Sequence, residues 1–338
     1  MNSSWKLARS LVVVGAISAV AAFSLAGPNE RLTGSVKCDG SSTVEPITSA
    51  VAEEFKAAAP NVNVTVGTSG TGGGFQKFCV GDIDISDASR PIKKEEHEKA
   101  VEKHVEYIEL PIAYDGLSIV VNKGNTWVDT LTIDEIRKVY LEGGAKKWSE
   151  VRAGFPDKPI KVYSPGTDSG TFDYFKEIVA HKAGKDGTDA SIRSDMSVSE
   201  DDNVLVRGVE GDAGAIGYFG CAYYFANKDK LKAVSVDAGK GAVAPTHETI
   251  EHGTYAPFSR PLFIYVNRKA ADRPEVKAFV DFYLDQADEL VEGAGYVKLP
   301  SAMYETAKGI FRDRKTGTKF LNDKGEKVSG PLSTIYAH

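Results

Sequence analysis

Basic residues are outnumbered by acidic ones in this sequence, with 41 Lys and Arg against 47 Asp and Glu and a formal net charge of -6. Nucleic acids and anionic membrane surfaces attract basic proteins, so neither is expected as a partner. An anionic ligand would have to be held by local hydrogen-bond donors and a few cations, against the field of the whole protein.

Histidine and cysteine are also scarce, at six and three residues, and their spacing does not match a zinc site. We therefore expect neither a metal nor a cofactor. Three cysteines allow one disulfide and one remaining thiol in an oxidising compartment. We predict the pair Cys38–Cys79, because both residues adjoin glycine-rich turns, and pairings with Cys221 stay open.

An apolar run, Leu11–Phe23, follows Lys6 and Arg9 and leads to small residues before Ala26. This pattern predicts a cleaved signal peptide over residues 1–26, with an uncleaved membrane anchor as the alternative. Cleavage would remove two basic residues and no acidic one, which takes the formal net charge from -6 to -8. Because Cys38 lies too far downstream to be acylated as in a lipoprotein, we expect a soluble secreted protein.

The most informative segment is Ser164–Tyr174. It follows a β-prone run and precedes apolar residues at helical spacing. The first turn of the predicted helix contains Asp168, Ser169, Gly170 and Thr171. Unpaired N–H groups, the positive end of the helix dipole and hydroxyl donors make such a turn suitable for an oxyanion. An ordinary helix cap is the simpler alternative.

Two earlier segments have the same strand-to-helix character. Gly40–Pro46 follows a short strand, and Ser42 and Glu45 in it have the spacing of a capping box. Gly67–Phe75 follows an alternating strand and is rich in glycine, serine and threonine. It is not a nucleotide-binding P-loop, because it does not end in Gly-Lys-Ser or Gly-Lys-Thr.

A single arginine, Arg90, ends the next apolar strand and is followed by Pro91. Two interpretations stay open, a solvated ion pair with Asp87 or a bidentate clamp for an oxyanion. Farther along the chain, the acidic cluster Glu200–Asn203 has the composition of a helix start.

Strands alternate with helices along the chain, which predicts an α/β fold with parallel sheets. Two similar segments, Tyr114–Asn122 and Ser259–Asn267, each join a polar turn to an apolar strand that ends in Val-Asn. We infer that the chain crosses between two lobes at both segments. Lobe I then comprises residues 27–117 plus 255–338 and lobe II residues 118–254. The strand-to-helix segments Gly40–Pro46 and Gly67–Phe75 of lobe I then face Ser164–Tyr174 of lobe II across a cleft, and we call these three segments corners.

Six segments, in this order, resemble the periplasmic phosphate-binding protein of the high-affinity ABC phosphate importer: Gly40–Val44, Gly67–Phe75, Asp84–Ile92, Ser164–Phe175, Glu200–Val206 and Gly253–Val266. The resemblance implies a two-lobed binding protein of type II, with two sheets, flanking helices and two hinge strands. It also implies that the lobes close around inorganic phosphate, that a membrane permease receives the ion, and that the protein is periplasmic and not an enzyme. We expect a monomer.

The resemblance further implies the phosphate contacts, which fall on Ser42, Thr43, Val44, Thr71, Gly72, Ser169, Gly170 and Thr171. Two positions depart from the enteric pattern of the family: Arg90 stands where that pattern has a phosphate-facing Asp, and no Arg closely precedes Ser169. We therefore expect Arg90 to supply the cation and Asp168 or Asp87 to be its acidic partner.

A buried carboxylate would explain selectivity, because phosphate keeps a proton near neutral pH and sulfate does not. The carboxylate accepts a hydrogen bond from phosphate and only repels sulfate. The candidates for this proton acceptor are Asp168, Asp87 and Asp202, and Asp168 is preferred.

Two alternatives follow from the same residues. A binding protein for another tetrahedral oxyanion, such as sulfate or arsenate, or for a phosphorylated metabolite would use the same corners. A secreted serine hydrolase or phosphatase is disfavoured, because Ser169 lies outside a Gly-x-Ser-x-Gly motif and the histidines show no partner spacing.

Overall fold

The computed structural model describes residues 31–167, 169–199 and 201–337, so the predicted signal peptide, residues 1–26, and Asp168 lie outside the described residues. The strands are β1 Gly34–Gly40, β2 Val62–Gly67, β3 Ile85–Ala88, β4 Tyr107–Asn122, β5 Thr130–Thr132, β6 Lys161–Pro165, β7 Ser197–Ser199, β8 Ala215–Gly220, β9 Leu231–Ala233, β10 Ser235–Asp237, β11 Ala242–Val243 and β12 Ser259–Asn267.

The α-helices are α1 Glu45–Ala58, α2 Gly70–Phe78, α3 Lys94–Glu102, α4 Ile133–Tyr140, α5 Trp148–Val151, α6 Gly170–Ala180, α7 Asp202–Glu210, α8 Cys221–Ala226, α9 His247–Glu251, α10 Pro274–Gly293, α11 Ser301–Arg312 and α12 Leu332–Ile335. Within the described residues, none of these helices has the length and hydropathy needed to cross a bilayer.

The longest strand, β4, takes part in two sheets. The first part of β4 pairs with β12 and completes the strand order β2-β1-β3-β12-β4. The second part pairs with β8, and the order continues as β4-β8-β6-β7. The short strand β9 also pairs with β4. The predicted two-lobed α/β fold is confirmed. The sheets are mixed rather than parallel, however, because β12 runs antiparallel to β3 and β4, and β4 runs antiparallel to β8.

β4 is continuous through the polar turn that the sequence predicts before the apolar strand of Tyr114–Asn122. The backbone at this turn stays extended because it pairs with the start of β12, where Arg260 lies opposite Asp115 and Ser259 opposite Gly116. After Gly116 the strand exchanges β12 for β8. A polar segment is thereby held inside the sheet, where β4 passes from β12 to β8.

The helix starts follow the predictions in part. α6 begins at Gly170, and the Ser169 hydroxyl accepts a hydrogen bond from the Thr171 N–H at 3.2 Å, as expected for a capped first turn. The capping box predicted for Ser42 and Glu45 is wrong, because α1 begins at Glu45 after Val44, whose side chain forms no cap hydrogen bond.

The three cysteines are free and buried, so the predicted Cys38–Cys79 disulfide is wrong. The Cys79 thiol instead donates to the Glu96 carbonyl at 3.2 Å, and the Cys221 sulfur accepts from the Ser118 hydroxyl at 3.1 Å. Burial raises the pKa of the Cys79 thiol to about 11. The thiols are therefore packed and protonated groups of the interior.

Asp87 is fully buried beneath α1, away from Arg90. Its Oδ1 accepts a hydrogen bond from the Thr48 hydroxyl at 3.0 Å, whereas its Oδ2 has no partner among the described residues. Burial raises the pKa of Asp87 well above its ordinary range, and the Thr48 bond only partly opposes this. The side chain therefore favours its neutral form.

Asp87 predicts a pH dependence of folding. The pKa of Asp87 is higher in the folded protein than in the unfolded chain. At a pH between these two pKa values the folded protein therefore binds more protons than the unfolded chain. The contribution of protonated Asp87 to folding stability is complete at low pH and is lost as pH rises. The neutral isostere Asp87→Asn should therefore flatten the fall in unfolding free energy above about pH 4, by up to about 1.4 kcal/mol per pH unit.

Urea unfolding between about pH 4 and about pH 8 measures this effect. Asp82→Asn is the matched control, because Asp82 is an exposed aspartate at the turn before β3. If Asp87→Asn and Asp82→Asn give parallel curves, the assignment of the titration to Asp87 is refuted.

Candidate functional site

A cavity of about 370 Å³ lies where the starts of α1, α6 and α7 approach Asp115 on β4. The wall includes Ser42, Glu45, Thr68, Asp115, Ser169, Gly170, Thr171, Asp202, Gly220, Tyr223 and Tyr296. Four residues of the predicted phosphate contacts therefore line one cavity: Ser42, Ser169, Gly170 and Thr171.

The corners before α1 and α6 contact each other directly. A Cβ atom placed on Gly170 would lie 3.1 Å from both the Cα and the Oγ1 of Thr43. Such a distance leaves little room for a side chain at position 170. Glycine at this position lets two helix starts, more than 120 residues apart in the chain, pack closely and aim at the same space.

The third predicted corner, Gly67–Phe75, reaches the cavity through Thr68. Thr71 instead bonds to Ser89, with 3.0 Å between the two hydroxyl oxygens. A Cβ atom on Gly72 would meet no atom within 4 Å, so the backbone there is open to approach. Neither Thr71 nor Gly72 is part of the cavity wall among the described residues.

Arg90 does not reach this cavity. Its two terminal nitrogens donate to the two carboxylate oxygens of Glu96 at 2.9 and 2.7 Å, and the guanidinium lies 5.5 Å from the centre of the Phe75 ring. It borders a different cavity, together with Phe320. The acidic partner predicted for Arg90, Asp87 or Asp168, is therefore corrected to Glu96.

The predicted proton acceptors are separated by the structure. Asp202 lines the cavity at the start of α7, whereas Asp87 is enclosed beneath α1 and is not part of the cavity wall. Asp168 lies outside the described residues.

Two site residues were missed by the sequence reasoning, Asp115 and Arg260. Asp115 lines the cavity and is only 2% exposed, and its Oδ2 accepts from the Arg260 Nε at 3.2 Å. Arg260 also donates to the Thr43 hydroxyl at 3.3 Å and stacks 3.6 Å from the centre of the Tyr174 ring. A signal was present, since both residues begin the two similar crossing segments, and antiparallel pairing of those segments puts them opposite each other.

The electrostatics of the cavity are unusual for an anion site. Among the described residues, its wall has three carboxylates, Glu45, Asp115 and Asp202, and no lysine or arginine. Arg260 supplies positive charge through its contacts with Asp115 and Thr43. Burial raises the pKa of Asp115, and the charge of Arg260 opposes that rise.

Comparisons with known proteins identify a family for this chain. The model of the PBP superfamily domain matches residues 27–287. Protein SphX of Synechococcus elongatus is 51% identical over 289 residues, which cover 84% of this chain and 83% of that protein. The phosphate-binding protein PstS of Staphylococcus saprophyticus is 45% identical over 274 residues, 80% of this chain and 82% of that protein.

Solved structures show the same relationship. A possible phosphate binding protein from Planctomyces limnophilus is 45% identical with a TM-score of 0.78, over 84% of this chain and 99% of that one. An ABC-type phosphate transport receptor from Vibrio cholerae is 26% identical with a TM-score of 0.62, over 79% of this chain and 100% of that one. The resemblance inferred from the six segments is confirmed, and the chain belongs to the PBP superfamily, in the family that contains the PstS and SphX proteins.

Proposed function

We propose that this protein binds inorganic phosphate outside the cytoplasm and delivers it to the membrane permease of an ABC importer, without catalysing a reaction. The observation that carries the proposal is the contact between the corner at Thr43 and the corner at Gly170, which aims two helix starts into one cavity. The names of the relatives, a phosphate-binding protein and an ABC-type phosphate transport receptor, support it. We propose a monomeric, periplasmic protein released from its signal peptide.

The proposed phosphate contacts are the residues of the corners. They comprise Ser42, Thr43, Val44, Ser169, Gly170 and Thr171, and the family resemblance adds Thr71 and Gly72. Ser169 is not proposed as a nucleophile, because its hydroxyl accepts the helix-capping hydrogen bond from Thr171.

We propose Arg260 rather than Arg90 as the cation of the site. Arg260 contacts Asp115, which lines the cavity, and Thr43, which belongs to a corner, whereas both terminal nitrogens of Arg90 bond to Glu96. A guanidinium has five N–H groups, and the contacts of Arg260 use one on each nitrogen. The anion would take the second N–H of Nη2 and would replace the exposed Glu177 at Nη1.

We propose Asp115 as the acceptor of the phosphate proton. Its Oδ2 is bonded to Arg260, and its Oδ1 would accept the P–O–H hydrogen. Arg260 is essential to this role, since burial favours neutral Asp115 and the adjacent positive charge favours the ionised form that can accept. Asp202, on the same wall, is the rival acceptor.

We propose that the lobes close about β4 and β12. Lobe I would comprise residues 27–117 plus 255–338 and lobe II residues 118–254. Phosphate would favour closure because donors from both lobes contact the same ion, so the closed form gains binding energy that the open form lacks.

Calorimetry on the processed protein, freed of bound phosphate by unfolding and refolding, tests the function. We expect tight binding of phosphate and arsenate, which both keep a proton near neutral pH, and binding of sulfate that is weaker by a factor of about 10⁴. Equal affinity for sulfate would refute the proton-acceptor argument, and no binding of any of the three anions would refute the proposed function.

The control for selectivity compares two carboxylates of the same wall. Asp115→Asn should reduce the phosphate-to-sulfate ratio, because the amide can donate to sulfate and no longer repels it. Asp202→Asn should leave the ratio nearly unchanged. The reverse result would assign the acceptor to Asp202.

A second prediction distinguishes the two arginines. Arg260→Ala should weaken phosphate binding by roughly 10- to 100-fold, because charge-assisted hydrogen bonds contribute about 1.5 to 3 kcal/mol. Arg90→Ala should change the affinity less than about twofold and act mainly on stability, through loss of its pairing with Glu96. An equal loss of affinity in the two variants would restore Arg90 to the site.

A third prediction concerns the contact between the corners. Gly170→Ala should weaken phosphate binding roughly tenfold or more, because the new methyl group would push against Thr43 and separate the two helix starts. Gly309→Ala is the matched control, since a Cβ there meets nothing closer than 3.9 Å. The control should keep its affinity and gain up to about 1 kcal/mol of stability from helix propensity. Unchanged affinity in Gly170→Ala would contradict the packing argument.

A further inference from the structure

Arg260 is shared among three regions of the protein. Its Nε donates to Asp115 on β4, its Nη2 to Thr43 before α1, and its Nη1 lies 3.4 Å from a carboxylate oxygen of Glu177 on α6. The two carboxylate acceptors differ in exposure: the Asp115 side chain is 3% exposed, whereas the Glu177 side chain is 71% exposed.

The contact with Glu177 is part of a larger attachment of α6 to the crossing segments. Tyr174, one turn before Glu177, stacks against the Arg260 guanidinium, and its hydroxyl donates to the Pro257 carbonyl at 2.6 Å. The helix that begins with the Ser169–Thr171 corner is therefore fastened to the segment that carries Arg260. A change in the bonding of Arg260 acts on both sides of the cavity.

We infer that Glu177 is a competing counter-charge, which holds the Nη1 end of Arg260 when the cavity has no anion and yields it when an anion binds. This inference rests on the proposed function. Glu177 is the partner of Arg260 that an anion can displace. Its contact is the longest of the three, and its exposed carboxylate is solvated by water once the contact breaks. Asp115 cannot leave in the same way, because it is buried.

The consequence is that Glu177 lowers the affinity of the site. Each binding event must break the contact between Arg260 and Glu177, and an exposed ion pair of this kind corresponds to a factor of about two to five in an equilibrium constant. Glu177 is thus a residue that sets affinity without contacting the ligand.

Calorimetry with phosphate on Glu177→Gln and on Asp173→Asn tests the inference. Both changes remove one exposed negative charge from α6, but among the described residues Asp173 forms no hydrogen bond or ion pair with Arg260. If only the removal of negative charge from α6 mattered, the two variants would have similar effects. We expect Glu177→Gln to bind phosphate about two- to five-fold more tightly and to exceed Asp173→Asn.

The double variant Glu177→Gln with Arg260→Ala completes the cycle. In the absence of Arg260 the effect of Glu177→Gln should vanish, a coupling that a purely structural role of Glu177 would not produce. An unchanged effect in that background, or an effect no larger than that of Asp173→Asn, overturns the inference. Failure of the proposed function is recognised separately, because the unmodified protein would then bind no phosphate.

Discussion

The antiparallel pairing of β4 with β12 is the constraint on which the site depends. A polar turn is normally excluded from the middle of a sheet, yet Tyr114–Gly116 stays extended because β12 supplies a partner for its backbone. The same register puts Arg260 opposite Asp115, where β4 passes from β12 to β8. A buried carboxylate at Asp115 without a cation beside it would strongly destabilise the folded protein. The backbone pairing of β4 with β12 and the charge pairing of Asp115 with Arg260 therefore depend on each other.

Close backbone contacts then bring the helix starts to this pair. Gly74 near the start of α2 packs against the end of β1, where a Cβ atom would lie 2.6 Å from the Cα of Gly40. Gly170 packs against Thr43 in the same way across the cavity. These glycines are not needed for flexibility. They let backbone segments that are distant in the chain pack closely, and of the two it is Gly170 that brings a helix start to the cavity.

The sequence predicts the site through its local signals and misses what depends on pairing between distant strands. The first turn of α6 is identified correctly, because Ser169 and Thr171 have a local capping pattern that the fold does not alter. The role expected of Arg90 rests on its position in a motif, but its bonding partner Glu96 comes from the following helix α3. Arg260 and Asp115 are 145 positions apart, so only the register of β4 and β12 reveals them. The disulfide prediction fails for a related reason: adjoining similar turns does not bring Cys38 and Cys79 into bonding geometry.

A cavity with three carboxylates and one adjacent arginine, in a protein of formal net charge -6, is a poor general attractor of anions. The unfavourable long-range field is screened over about 8 Å at physiological ionic strength, so hydrogen-bond donors within about 3 Å of the ligand decide the affinity. Under the proposed function, the carboxylates act on selectivity. A protonated anion would turn the repulsion of Asp115 into a hydrogen bond, whereas a fully ionised anion of the same shape would have to desolvate beside that negative charge without compensation. The acidity of the wall would then favour the protonated oxyanion over its fully ionised analogue.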